Sequence, residues 1–110
     1  MALKFKELVA TSKVEVGLDF LVIAHLENDG AEPVKGVRGE LVLSGGLQPL
    51  EATVLVRELA SIPVGAAKRM AWAVLPSAAG KPGVKVTVSC NGCQPQEKSV
   101  QIEVISPKGN

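Results

Sequence analysis

The feature that most constrains this chain is an alternation. Apolar side chains return at every second position in several segments, and nowhere do they hold an i, i+3, i+4, i+7 stripe through three helical turns. A period of two sends successive side chains to opposite faces of an extended strand. The last two segments are the clearest. Val84, Val86, Val88 and Cys90 alternate with Lys85, Thr87 and Ser89, while Val100, Ile102 and Val104 alternate with Gln101 and Glu103. A strand with one apolar face belongs to an antiparallel sheet that meets a core on one side and water on the other. Valine supplies 16 of the 110 residues, and branched side chains of this kind pack well on a pleated surface.

The same reading extends back along the chain. Leu3–Val9 reads as a strand with Lys4 and Lys6 on one face, and a short Val14–Val16 piece follows and ends at Gly17. From Leu18 to Leu26, the residues Leu18, Phe20, Val22, Ala24 and Leu26 share a face. Leu21 and Ile23 put apolar surface on the other face, as expected of a central strand. Asn28-Asp29-Gly30 stops it with turn chemistry. Val37–Leu43 brings Val37, Gly39, Leu41 and Leu43 together. Leu50–Leu59 is a further strand with Ala52, Val54 and Val56 on one face, although Leu55, Leu59 and Ala60 blur its period and leave a short helix open there. Lys68–Leu75 places Met70, Trp72 and Val74 together, and Pro76 marks its end. Pro82-Gly83 turns the chain into the last pair. The expected fold is all-β: an antiparallel sandwich of about seven strands. Its core includes Phe20, Val22, Leu26, Leu41, Trp72, Val86, Val88 and Ile102.

Length and charge narrow the choice further. At 110 residues the chain is one domain, read as residues 1–110 with 106–110 as a tail or linker. The 12 Lys and Arg against 11 Asp and Glu leave a net charge of +1. That balance excludes a strongly basic nucleic-acid platform and a charge-rich disordered chain. Apolar runs of about five residues are far shorter than the roughly 20 needed to cross a bilayer as a helix. Met1-Ala2 leads into alternating Lys and apolar residues rather than a secretory h-region.

In this order, the turns and core residues resemble bacterial and archaeal immunoglobulin-like modules of the CARDB-like (cell-adhesion-related) and NEW3-like groups. The resemblance rests on Gly17-Leu18-Asp19-Phe20 entering a central strand, Asn28-Asp29-Gly30 after it, Ala71-Trp72-Ala73-Val74-Leu75-Pro76, and Pro82-Gly83 before Val84-Lys85-Val86-Thr87-Val88. Pro76 follows Leu75 directly, one residue off the W-x-V-x-P pattern. Val84 stands where a Tyr often follows the late Gly. The resemblance covers roughly Leu3 to Ile105 and implies an immunoglobulin-like sandwich in a surface, adhesin-associated or hydrolase-associated protein. It implies no shared ligand and no catalytic site.

Few residues are placed for chemistry. Cys90 and Cys93 form a C-x-x-C around Asn91-Gly92, the dipeptide preferred in two-residue hairpin turns. A redox motif of the thioredoxin type belongs beside a βαβ unit, and a zinc site needs about four ligands. There is no second C-x-x-C, although a dimer could supply two thiol pairs. A structural disulfide or two free thiols therefore remain, the former in an exported protein and the latter in a cytosolic one. His25, the only histidine, reads as a strand residue without a chemical role. Glu7, Glu15 and Glu27, or Asp19 with Asp29, are dispersed rather than clustered for calcium or glycoside hydrolysis. Trp72 shares the phase of Met70 and Val74, so it belongs to the core rather than to a sugar platform.

These readings predict a noncatalytic structural or adhesion-related module of a cell-surface or exported prokaryotic protein, with no cofactor and no metal. Its expected partners are neighbouring domains, another surface protein or a glycan, with no nucleic acid and no membrane insertion. The alternative is a carbohydrate-binding or glycoside-hydrolase accessory module using the loops Ser44–Pro49 and Ser61–Gly65. Two further classes are a redox-active cysteine pair and assembly through an edge strand such as the N-terminal one.

Overall fold

The computed structural model describes residues 3–50 and 53–106, and none of these is helical. Ten strands are formed: β1 (Leu3–Ala10), β2 (Lys13–Glu15), β3 (Phe20–Asn28), β4 (Val34–Leu43), β5 (Leu47–Pro49), β6 (Val56–Ile62), β7 (Ala67–Pro76), β8 (Gly83–Ser89), β9 (Gln96–Gln101) and β10 (Glu103–Ile105). They make two four-stranded sheets, β1-β3-β7-β5 and β6-β4-β8-β9, and a separate β10-β2 pair. Both large sheets are antiparallel throughout. The small pair is parallel, an exception to the antiparallel expectation. Ala52 and the tail from Pro107 lie outside the described residues.

The core is the sum of the inward phases. Phe20, Val22, Ala24 and Leu26 of β3 lie beside Met70, Trp72 and Val74 of β7 on one inner face, and the other sheet contributes Val37, Leu41, Val84, Val86 and Val88. Ile102 and Val104 close one side. All eight residues named above as core are buried. Trp72 is fully buried, and its indole N–H donates to the Leu55 carbonyl at 2.9 Å. Gly39 makes room for it: a Cβ at that position would stand 2.5 Å from the Met70 sulfur and 3.3 Å from the Trp72 ring.

Three expected strands change on folding. Leu18 lies in a turn with 56% of its surface exposed, so β3 begins at Phe20. The turn runs from Glu15 to Leu18, closed by the Leu18 N–H on the Glu15 carbonyl, with Gly17 at a φ of 91° that suits glycine. Leu50–Leu59 is no single strand. Leu47–Pro49 pairs with β7 in one sheet, whereas Val56–Ile62 pairs with β4 in the other. The chain changes sheets between Pro49 and Val56, which accounts for Leu55, whereas Leu59 and Ala60 lie within β6 itself. The final alternating run also divides, since Gln96–Gln101 pairs with β8 while Glu103–Ile105 leaves to pair with β2. In β1 the register shifts between Phe5 and Glu7, a bulge that puts Leu8 inward after Leu3 and Phe5.

Sheet edges expose backbone donors and acceptors that invite foreign strands. The start of β1 is closed from the opposite sheet. The Gln96 side chain accepts from the Phe5 N–H at 3.0 Å and donates to the Leu3 carbonyl at 2.8 Å. Lys98 sits 5.8 Å from the Phe5 ring centre. One amide thus satisfies a donor and an acceptor on the outer side of the first residues of β1. Replacing it by leucine leaves two backbone groups unpaired in a part-buried seam. Gln96→Leu should cost about 1–3 kcal/mol, read as a lower urea midpoint at unchanged slope, while Gln96→Glu, which keeps only the acceptor, should fall between.

Candidate functional site

The strands run between two poles, and the register decides which loops share one. Leu3 pairs with Asn28, Val34 with Ile62 and Arg38 with Ser89. One pole therefore gathers the β3–β4 loop, the β6–β7 loop, the β8–β9 loop and the start of β1. Loops gathered at one end of a sandwich are surface segments carried on rigid strands.

A single buried side chain braces this pole. Asn28 continues the inward phase of β3 and is fully buried. Its amide donates to the Glu32 carbonyl at 2.8 Å and to the Ile62 carbonyl at 2.9 Å, and its oxygen accepts from the Gly30 N–H at 2.9 Å. Its own N–H bonds the Ala66 carbonyl, and its carbonyl accepts from Gly65. The β3–β4 and β6–β7 loops are thereby tied to one residue. The sequence pattern marked Asn28 as turn chemistry. The signal for its deeper role was its parity with Phe20, Val22, Ala24 and Leu26.

The third loop carries the cysteines. Cys90 and Cys93 are disulfide-bonded, with Cα atoms 5.3 Å apart, and the Cys93 N–H returns to the Cys90 carbonyl at 3.2 Å. Asn91-Gly92 is not a two-residue hairpin turn, because the last ladder pair is Val88 with Gln96 and the connection is longer. It forms a turn inside that connection, with Gly92 at φ 78°. The Asn91 N–H bonds the Lys35 carbonyl at 3.0 Å. Its side chain sits over Gly36, where a Cβ would come within 2.5 Å of it and where φ is 65°. Between these loops lies an open groove of about 520 Å³ lined by Leu3, Pro33, Lys35, Cys90, Asn91 and Cys93.

The remaining candidates do not converge. His25 lies half-buried on the outer face of the first sheet, in a cross-strand row with Glu7 and Arg69, away from the cysteines. Asp19 and Asp29 flank opposite ends of β3, roughly 30 Å apart at about 3.4 Å per residue, so they form no carboxylate pair. Asp29 pairs with Lys4 and Glu27 with Lys6, each at 3.3 Å, as solvent-facing ion pairs. Ser44–Pro49 begins at the far pole while Ser61–Gly65 reaches the near one, so these two loops do not form one surface. Phe5, Phe20 and Trp72, the chain's complete set of aromatic residues, are all buried.

These features define a CARDB-like, immunoglobulin-like module in fold. A CARDB domain from Pyrococcus furiosus superposes with a TM-score of 0.74 at 15% identity, covering 96% of this chain and 94% of that one. A Salmonella alpha-2-macroglobulin matches with a TM-score of 0.76 at 19% identity, over 96% of this chain and only 7% of that one. The E. coli alpha-2-macroglobulin matches in the same way, at 20% identity with a TM-score of 0.73, over 96% of this chain and 7% of its own. No protein-family model and no curated protein matches the sequence. The archaeal domain was solved in complex with di-metal ions. Among the described residues of this chain, no three His, Cys, Asp or Glu side chains are grouped to hold a metal, so its donors do not fit such a centre.

The two braces should separate by experiment. Asn28→Asp keeps the shape but removes both donors and buries a charge, and should cost about 3 kcal/mol or more by chemical denaturation. Reducing the disulfide releases a loop of only four residues, a chain-entropy effect of at most about 2 kcal/mol. Dithiol treatment should lower the melting midpoint by roughly 5–10 °C and leave the β-sheet circular dichroism intact.

Proposed function

We propose that this chain is a noncatalytic structural and interaction module, a spacer within a larger exported or cell-surface protein. The observation that carries the reading is the placement of its ends. Leu3 pairs with Asn28 at the braced pole, whereas Ile105 pairs with Glu15 at the opposite one. A chain that enters at one pole and leaves at the other advances its neighbours by roughly the length of the strands, about 30 Å.

Other features support it. The loops at the near pole are held by Asn28 and the disulfide, a cross-link that belongs to oxidising compartments. In the alpha-2-macroglobulins, a similar domain occupies a small share of a long chain. Adhesion-related contacts would use the braced loops, which are presented on rigid strands. The carbohydrate-binding alternative is the less favoured reading, since Phe5, Phe20 and Trp72 are all buried and supply no ring for stacking. The metals of the archaeal domain are not carried over, because among the described residues no three such donors are grouped.

A spacer must resist being pulled by its ends. Load entering at Leu3 and leaving at Ile105 falls on the parallel β2–β10 pair in shear. That pair is fastened by Glu103 N–H to the Ser12 carbonyl at 2.9 Å and Val16 N–H to the Ile105 carbonyl at 3.0 Å. In single-molecule force spectroscopy the module should rupture in one event, and Val16→Pro, which deletes one of these bonds, should rupture at lower force. Gradual extension, or equal forces for the two proteins, would sink the spacer reading.

A further inference from the structure

We infer that the outer face of the β1-β3-β7-β5 sheet docks on the same face of a second copy of this chain, with the strands of both copies running the same way. The two outer faces of the sandwich differ. That of the β6-β4-β8-β9 sheet carries mainly polar residues, among them Arg38, Glu40, Lys85, Thr87 and Glu97, as a face that meets water should. On the first sheet Val9, Ile23 and Ala71 form one cross-strand row, and Leu21 with Ala73 belongs to the next. Leu21 is 52% exposed and Val9 39%, and Ala71 is exposed beside them. Adjoining apolar rows in the middle of an open face mark an interaction surface.

The occupant follows from the row beside the patch, Glu7, His25 and Arg69. Its acid and its base stand on either side of β3, about 10 Å apart. Among the described residues neither has an ion-pair partner. The bulge in β1 sets this order. Continued without a shift, the pairing of Phe5 with Leu26 would bring Lys6 opposite His25, and the row would read Lys, His, Arg. The shift brings Glu7 there instead, and Lys6 pairs with Glu27 at 3.3 Å.

A two-fold pair uses the same patch on both copies, and stacked sheets align to within about 30°. The axis between them therefore runs either across the strands or along them. An axis across the strands lays each strand on its own copy. Glu7 then meets Glu7 and Arg69 meets Arg69, or the charged row falls on the apolar Leu21 row. An axis along β3 exchanges the flanks. Glu7 meets Arg69 of the other copy twice, Val9 fills the space over the small Ala71, and Leu21 and Ile23 meet themselves. Of the two axes only this one sets opposite charges together and apolar rows together, and that complementarity selects a second copy of this chain. Lys4 and Glu27, further along the face, are already held by Asp29 and Lys6.

Three strands about 4.8 Å apart and three rows about 7 Å apart amount to roughly 300 Å² of sheet per copy. A standard interface buries about 800 Å² per partner, so association is weak and concentration-dependent. Sedimentation velocity of the full chain from about 10 µM to about 1 mM should show a monomer–dimer equilibrium. Glu7→Arg puts arginine on both flanks of His25, and Arg69→Glu puts glutamate on both. Each should weaken the dimer by about tenfold. Mixed in equal amounts, the two variants should associate at least as tightly as wild type, because each now faces its opposite. Recovery in the mixture also shows that both variants are folded. Leu21→Glu should abolish the dimer, whereas Val42→Glu, on the outer face of the other sheet, should leave it unchanged. A wild type that stays monomeric to the highest concentration overturns the inference, as does a mixture no more associated than its components. Binding to vesicles of zwitterionic lipid by a chain that never dimerises assigns the patch to a membrane and overturns it too. The rupture force that tests the spacer reading is measured on a single module, so none of these outcomes bears on it.

Discussion

An indole buried between two sheets needs space on the facing strand and an acceptor for its N–H, and much of this molecule follows from meeting both needs for Trp72. Gly39 supplies the space, because any side chain there would strike Met70 and the indole ring. The Leu55 carbonyl supplies the acceptor. A buried indole N–H left without a partner costs on the order of 1–3 kcal/mol, so this bond fixes where Leu55 lies. Leu55 belongs to the segment that carries the chain from β5 in one sheet to β6 in the other. Its carbonyl also receives the Leu41 N–H, and Arg57 donates to the Ala71 carbonyl at 3.1 Å on the flank of β7. The crossover is thus pinned where it enters β6, the outer strand of its sheet.

Asn28 plays the corresponding part at the pole. Loops cluster wherever strands end together, but clustered loops are ordered only if their backbone groups find partners. One amide with two donors and an acceptor satisfies three of them. Aspartate has the same shape without the donors, and leucine could fill the volume without any bond. Asparagine at an inward strand position is therefore a specific solution.

How much of this was legible depended on whether local period or partner choice carried the information. The faces of β3, β7 and β8 could be read directly, because each strand keeps one sheet on both sides and its alternation is unbroken from Phe20 to Leu26, Met70 to Val74 and Val84 to Val88. Alternation says nothing about which strand lies alongside. Val100, Ile102 and Val104 keep perfect phase while the chain leaves β8 for β2, so one apparent strand became two. Leu50–Leu59 failed for the opposite reason, since a crossover has no period to show. Asn91-Gly92 marked a turn correctly as to chemistry but not as to length, because Pro95 and the bonded cysteines extend the connection. The Gln96 clamp on β1 joins residues more than ninety positions apart, and no spacing rule within one strand reports such a contact.

That clamp also bears on how load would enter the module. β1 is an edge strand, and its sequence alone suggests one open to pairing. The Gln96 amide takes up the Phe5 N–H and the Leu3 carbonyl from the opposite sheet, so the first residues of that edge are joined to β9 as well as to β3. A pull arriving at Leu3 is therefore shared between the two sheets before it reaches the β2–β10 pair. The edge bond that discourages a foreign strand is thus the same bond that spreads an axial load, and both effects would be lost together with one amide.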